Sequence, residues 1–278
     1  LDGLHKIVLE QVEKPLIELA LRVYNGKIFK LRQHTERLIR SAELLGFEIP
    51  YSMAQLEAAQ REEVAAQKVV NGYIRPVAWR GTEMMAISAQ QTTIHVAIAA
   101  WQWPSYFSQE AKERGLKLQF AKWARPAPNT APTASKAAGL YMICTMSKHA
   151  AEREGFNDAL MLDYRGLVAE ATGANIFVIK DGAIKTPIPD CFLNGLTRQT
   201  VIQLAKDLKL PIEEALISPE ELKKADEVFL TGTAAEVTAV GVARPAAAAL
   251  REEDRRQPHP RDQLEQAVLL AVPDQPLG

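Results

Sequence analysis

Lys136 and Glu170 stand out as charges without charged neighbours. Between Pro126 and Ser147 the chain carries no charged side chain other than Lys136, set in "PNTAPTASKAAGLYM". Glu170 is the one charge in "GLVAEATGANIFVI", residues 166–179. Lysines ordinarily sit in water among other charges, and burying an unpaired one is costly. Lys136 is therefore either a solvated lysine or an amine wanted as a base or nucleophile. A place in the first turn of a helix would oppose the helix dipole and lower its pKa, as a Schiff-base lysine requires. Alternation along "LVAEAT" groups Glu170 with Val168 and Thr172 on one sheet face. There it either meets water on a half-exposed sheet or serves a buried partner.

Other signals are weaker one by one. Gly195-Leu196-Thr197 lead into a helical pattern, so backbone N–H groups and the Thr197 hydroxyl could hold a phosphate, or Thr197 could simply cap the helix. "TGTAAE", residues 231–236, offers small residues and two hydroxyls at a strand end. Arg37 lies beside Leu38 on an amphipathic helix, ordinarily a solvated position. "NGYIRP" puts Tyr73 and Arg75 on the same side of one strand, an aromatic and a fixed cation suited to a carboxylate. Together these give one lysine, one carboxylate for a ring nitrogen and several phosphate contacts, the inventory of a pyridoxal phosphate site. Rival machineries are missing: there is no G-x-G loop, no P-loop and no G-x-S-x-G elbow. His5, His34, His95, His149 and His259 lack metal-ligand spacing and neither cysteine has a C-x-x-C partner, so no metal is expected. Each of these residues reads as structural or surface.

Composition bounds the setting. The 278 residues suffice for one large domain or two ordinary ones, and 47% hydrophobic with 24% charged residues indicates a soluble globular protein. A net charge of −1 argues against a nucleic-acid partner. No apolar run is long enough for a bilayer, and the start lacks a signal-peptide pattern. Two cysteines, Cys144 and Cys191, are too few for a disulfide framework, which points to a reducing, cytoplasmic compartment.

The elements that must position the candidate residues follow from period and punctuation. Asn25-Gly26 signals a hairpin. Residues 34–45 read as a helix, and Ser52 caps another over 53–69. Strands are expected at 73–79 and 92–101, then a connection, 102–115, with a short helix. A second module opens at Leu116 with a strand and a Pro-rich loop, followed by a helix from Ser135 to Arg153. A strand meander turns at 164–166 and at Asp181-Gly182. A helix over 197–208, a capped start at Ser218 and two closing strands complete it. Strands in runs with helices between them favour an α+β (mixed α/β) arrangement. The expected division is a small N-terminal domain, 1–101, the connection, and a large C-terminal domain, 116–278. Residues 242–262 read as loop or disorder, with a short helix around Leu264, Val268 and Ala271.

The blocks "YNGKIFKL…H…RL…SA…LGFEIP", "NGYIRP", "PNTAPTASKAAGLYM", "DALMLDYRGLVAEATGANIFVIKDG", "PDCFLNGLTRQTVI" and "ADEVFLTGTAAEVTAV" occur in this order. In these blocks the chain resembles the branched-chain amino-acid aminotransferases, fold-type-IV pyridoxal phosphate enzymes, over residues 22–241. The resemblance implies a two-domain fold with pyridoxal 5′-phosphate between the domains. It makes Lys136 the Schiff-base lysine and proton shuttle, Glu170 the partner of the pyridine nitrogen, and Tyr141 the hydrogen-bond partner of the cofactor's 3′-oxygen. Arg37, Leu196, Thr197 and Thr233 would hold the phosphate. Thr233 and the backbone of Ala234 and Ala235 would help bind the substrate carboxylate, with Tyr73 nearby. Arg75 would bind the second carboxylate of glutamate or 2-oxoglutarate, and Trp103 and Tyr106 would cover the substrate. It implies transamination of leucine, isoleucine and valine with 2-oxoglutarate, and a homodimer or larger homo-oligomer. Alternatives of the same fold are a D-amino-acid transaminase or an aminodeoxychorismate-lyase-like enzyme; another is a cofactor-binding remnant. Residues 18–22, Ala239 and residues 242–262 depart from the family pattern, and the expectation is that both ends come from an altered reading frame or a fused segment.

Overall fold

The computed structural model describes residues 17–18, 21–84, 87–103, 110 and 114–241. Expectations for residues 1–16, Tyr106 and residues 242–278 fall outside the described residues. The described chain forms two compact units. One runs to residue 103 and takes in Ala131–Met142; the other holds residues 110, 114–130 and 143–241.

In the first unit β1 (Ile17–Glu18), β2 (Leu21–Tyr24), β3 (Lys27–Ile28), β4 (Gly72–Arg80) and β5 (Ile94–Gln102) form one antiparallel sheet. Asn25 (φ 49°) and Gly26 (φ 77°) both take positive φ, the geometry of a two-residue type I′ turn between β2 and β3. β4 is the spine: it pairs with β5 from Gly72 to Arg80 and with β1 and β2 on its other edge. Helices α1 (Leu31–Leu44) and α2 (Met53–Ala66) belong to the same unit. α1 begins three residues earlier than periodicity indicates, which brings Leu31, Arg32 and Gln33 inside it. Its buried face is Leu31, His34, Thr35, Leu38, Ser41 and Ala42, the i, i+3, i+4 stripe of a core-facing helix. Leu38 joins Leu21, Val23, Leu56, Val64 and Ile74 in one apolar cluster. Ser52 caps α2 in a full capping box with Gln55.

The second unit is built on an eight-stranded mixed sheet of β6 (Leu118–Phe120), β7 (Asp158–Leu162), β8 (Val168–Ala171), β9 (Asn175–Lys180), β10 (Ala183–Pro187), β11 (Ile212–Ala215), β12 (Glu227–Gly232) and β13 (Glu236–Val240). The β6–β7 and β10–β11 pairs are parallel and the rest antiparallel. Alternate residues of β9 enter two separate apolar clusters, Ile176 and Val178 in one and Phe177 and Ile179 in the other. The sheet is therefore covered on both faces. Helix α4 (Leu196–Asp207) supplies Val201 and Ala205 to the second cluster. Double coverage buries all four residues of β8, so the half-exposed sheet is excluded and Glu170 does not face water. β11 was not anticipated: its two central glutamates are exposed, which hides an edge strand from a hydrophobic pattern.

The expected helix from Ser135 to Arg153 is corrected. A single 3₁₀ turn, Ala138–Tyr141, precedes α3 (Met142–Arg153), and Lys136 lies ahead of both. The backbone N–H of Lys136 donates to the Ser41 hydroxyl at 3.1 Å, and Ser135 Oγ donates to the Ser41 carbonyl at 3.1 Å. Ser135 N–H closes a turn on the Pro132 carbonyl at 2.9 Å, and the Lys136 N–H is spent on α1. The helix-dipole argument for a lowered lysine pKa does not apply.

Candidate active site

In the first unit the structure gathers Lys136, Tyr141, Arg37 and His34. Lys136 Nζ lies 2.6 Å from the Tyr141 hydroxyl and 4.7 Å from the centre of that ring. The 3₁₀ turn makes this contact possible, because it folds residue i+5 back over the amine. Arg37 is half-buried as a residue, and its Nη2 meets His34 Nδ1 at 3.1 Å. Its Nε is buried with no hydrogen-bond partner among the described residues. Burial draws the guanidinium pKa down to about 10, opposed by the Tyr141 and Tyr73 hydroxyls. The solvated-face reading of Arg37 is thereby overturned: its Nε is buried and its Nη2 meets a buried imidazole. Burial, then the cations Arg37, Lys136 and Lys30, hold the His34 imidazole well below its usual pKa.

Tyr73 and Arg75 of β4 meet Trp101, the partner of Tyr73 on β5, and Trp103 just beyond the end of β5. The Tyr73 ring lies 4.9 Å from that of Trp103 and 5.4 Å from that of Trp101, and Arg75 Cζ sits 5.8 Å over Tyr73. These residues form an aromatic wall with a cation set into it, and the Tyr73 and Trp101 rings restrain the guanidinium in one place. Tyr106, expected beside Trp103, lies outside the described residues.

The second unit gathers a different set. Glu170 is 8% exposed, with Arg125 Nε 3.3 Å from one carboxylate oxygen and Asn175 Nδ2 donating to the other at 3.3 Å. Arg125, itself buried, also donates from Nη1 to Cys144 Sγ at 3.3 Å. A buried carboxylate is kept charged by such a neighbour. Burial, then Glu170, pushes the Cys144 thiol up to about 11, so it stays protonated and inert. Strand pairing sets Glu170 opposite Asn175 and Asn175 opposite Thr231, lining up the ends of β8, β9 and β12. Asn175 Nδ2 also donates to the Leu193 carbonyl, and a Cβ at Gly195 would collide with its Oδ1. Glycine is thus required where α4 begins. The N-cap is Gly195, not Thr197, and it supplies no side-chain cap. Leu196 and Thr197, both buried, form the first turn, whose N–H groups are an anion-binding end. Thr233 and Ala234 follow β12, half-buried, with Ala235 buried beside them; the buried Thr231 Oγ1 has no partner among the described residues.

His34, Ser41, Arg125 and Asn175 escaped the sequence reading as site residues. His34 and Ser41 carried a helical signal, three and four residues from Arg37, but only packing reveals that they are buried. Arg125 stands one residue before the uncharged stretch and reads as its boundary. Each unit holds donors of its own suited to an anion such as a phosphate, the orphaned Arg37 Nε in the first and the orphaned Thr231 hydroxyl and the uncapped α4 terminus in the second, and the Lys136 amine of the first is suited to an aldehyde. The residues present fit pyridoxal phosphate.

The sequence profile described as Amino-transferase class IV matches residues 19–242. The chain belongs to the class IV aminotransferases. Among curated members of this family, the probable branched-chain-amino-acid aminotransferase of Rickettsia felis is 42% identical over 216 residues, 78% of this chain and 73% of that one. The branched-chain-amino-acid aminotransferase of Pseudomonas aeruginosa is 40% identical over 213 residues, 77% of this chain and 69% of its own. Among solved structures, the branched-chain aminotransferase of the thermophilic archaeon Thermoproteus uzoniensis with norvaline superposes with a TM-score of 0.83 at 33% identity, covering 93% of this chain and 85% of that chain. The α+β fold of type IV expected from the sequence is therefore the fold observed.

Proposed function

We propose that this class IV aminotransferase transfers the amino group of branched-chain L-amino acids to 2-oxoglutarate with pyridoxal 5′-phosphate, giving branched-chain 2-oxo acids and L-glutamate. The observation that carries the reading is the Lys136 amine, fixed by its backbone to α1 and held against the Tyr141 hydroxyl. When bound, the cofactor supplies an electrophilic aldehyde carbon and a ring that draws electrons from the substrate Cα. Lys136 Nζ would take the proton from the substrate Cα and hand it to the former aldehyde carbon of the cofactor, and Tyr141 orients that amine. Arg37, the first turn of α4 at Leu196 and Thr197, and Thr233 hold the phosphate. Glu170, kept ionised by Arg125, accepts a hydrogen bond from the ring nitrogen. Tyr73 and Trp103 shape the side-chain pocket. Thr233, Ala234 and Ala235 take the α-carboxylate, and Arg75 takes the second carboxylate of 2-oxoglutarate. A homo-oligomeric, cytoplasmic enzyme belongs to the same reading.

The named relatives are branched-chain enzymes, which favours this donor class over D-amino acids or a lyase reaction. The test is a titration with pyridoxal phosphate, read as a visible absorption band, followed by L-leucine or D-alanine. A band that responds to L-leucine and not to D-alanine is expected. No band at all, as a remnant without function would give, or a response to D-alanine alone, overturns the proposal.

A further inference from the structure

We infer that His34 is a positioning residue: its imidazole turns the Arg37 guanidinium so that the donors left over face the cofactor's phosphate. The inference rests on the cofactor reading above. His34 is 1% exposed and lies three residues before Arg37 on the buried face of α1. The Arg37 Nη2 to His34 Nδ1 distance is 3.1 Å. Arginine can only donate, so Nδ1 must accept and the imidazole must be neutral. Burial and the cations Arg37, Lys136 and Lys30 enforce that state.

The choice of partner matters chemically. A carboxylate at this position would orient the guanidinium equally well, but it would cancel the charge and compete with an anionic ligand. A neutral imidazole fixes the rotation of the planar fork and leaves its full charge in place. The buried Arg37 Nε, unpartnered among the described residues, is a donor left for that ligand. Four residues beyond Arg37 on the same helix, Ser41 holds the Lys136 backbone. One helix therefore indexes the phosphate-facing cation and the reactive amine to each other.

The test compares pyridoxal 5′-phosphate with pyridoxal, which lacks the phosphate, as ligands of the wild-type chain, His34→Leu and His34→Asn. Dissociation constants are read from the visible absorption of bound ligand, without turnover. His34→Leu is expected to weaken the phosphate-bearing ligand by about tenfold, the scale of one charge-assisted hydrogen bond, and pyridoxal by less than about twofold. His34→Asn keeps an acceptor and recovers most of the loss. His34→Ala gives the same reading should the leucine variant not fold. Equal weakening of both ligands, the sign of a merely structural role, overturns the inference, as does an unchanged affinity for the phosphate-bearing ligand. A wild-type chain that binds neither ligand overturns the cofactor reading itself, and this inference with it.

Discussion

The two units treat their buried charges differently. In the second, Glu170 has Arg125 at 3.3 Å, and Asp158 has Lys148 at 3.8 Å together with hydrogen bonds from Thr172 and the Ala159 backbone. In the first, Arg37 rests on a neutral imidazole and keeps a buried Nε without a partner among the described residues. A buried charge with a counter-charge is a finished structure; one oriented by neutral groups is an unfinished one that a ligand of opposite sign completes. The comparison teaches where each unit spends stability. The second secures its carboxylates internally, and the first holds a cation ready for an anion.

The sharpest way to break this comparison is to remove the amine. On the proposed reading Lys136 is the proton-transfer group, so Lys136→Ala is expected to lower turnover of L-leucine with 2-oxoglutarate by about 10⁴-fold. Appreciable steady-state transamination by that variant would refute its role. Next in size is Arg125→Met, which leaves Glu170 as an uncompensated buried charge and should cost about 3–5 kcal/mol of stability in urea denaturation. Arg37→Met should cost far less in the ligand-free chain, because no buried carboxylate is left without its partner there. Equal costs would erase the contrast. Glu170→Gln should slow turnover by about a hundredfold, the scale of removing one charge-assisted interaction from the transition state, while the visible band of bound cofactor persists. Loss of the band would instead make Glu170 a binding group.

Acid provides a smaller, opposed pair of effects. The folded-state pKa of His34 is depressed, so between that value and about 6.5 the unfolded chain binds the extra proton. The stability contributed by neutral His34 is thus present above pH ~6.5 and is lost as pH falls, by at most about 1.4 kcal/mol per unit. Burial raises the Asp158 pKa, so the folded chain takes that proton first and acid relieves its penalty instead of adding one. Amide hydrogen exchange, corrected for intrinsic rates, should show α1 losing protection from pH 6.5 to 5 before β7 does, and the reverse order would contradict the assignment. The smallest effect concerns helix starts. Ser52→Ala removes the cap of α2 and should cost about 1 kcal/mol without ligand. α4 has no side-chain cap to lose, and it should gain stability specifically when inorganic phosphate or cofactor is added.

Local signals were legible in the sequence because their physics is local. Asn25-Gly26 permits positive φ at both positions, and Ser52 with Gln55 closes a box three residues long. Lys136 and Glu170 were conspicuous because small uncharged neighbours on both sides are rare around a charge. What escaped depends on partners distant in sequence. The 3₁₀ turn in place of a helix start follows from Ser41, ninety-five residues from Lys136. Burial of Glu170 follows from cover on the second face of the sheet, contributed by elements later in the chain. His34 looked like one of five scattered histidines until packing sealed it against Arg37.

Ser41 repays a last look. Its hydroxyl and its carbonyl clamp two successive residues, Lys136 and Ser135. The address of the reactive amine is consequently written on α1 and not on the segment that delivers it. Insertions or deletions upstream of Ala131 can then accumulate over evolutionary time without moving the amine, whereas a one-residue slip within α1 would misplace amine and guanidinium together. The sequence record of such a loop should drift in length while its anchor stays in register.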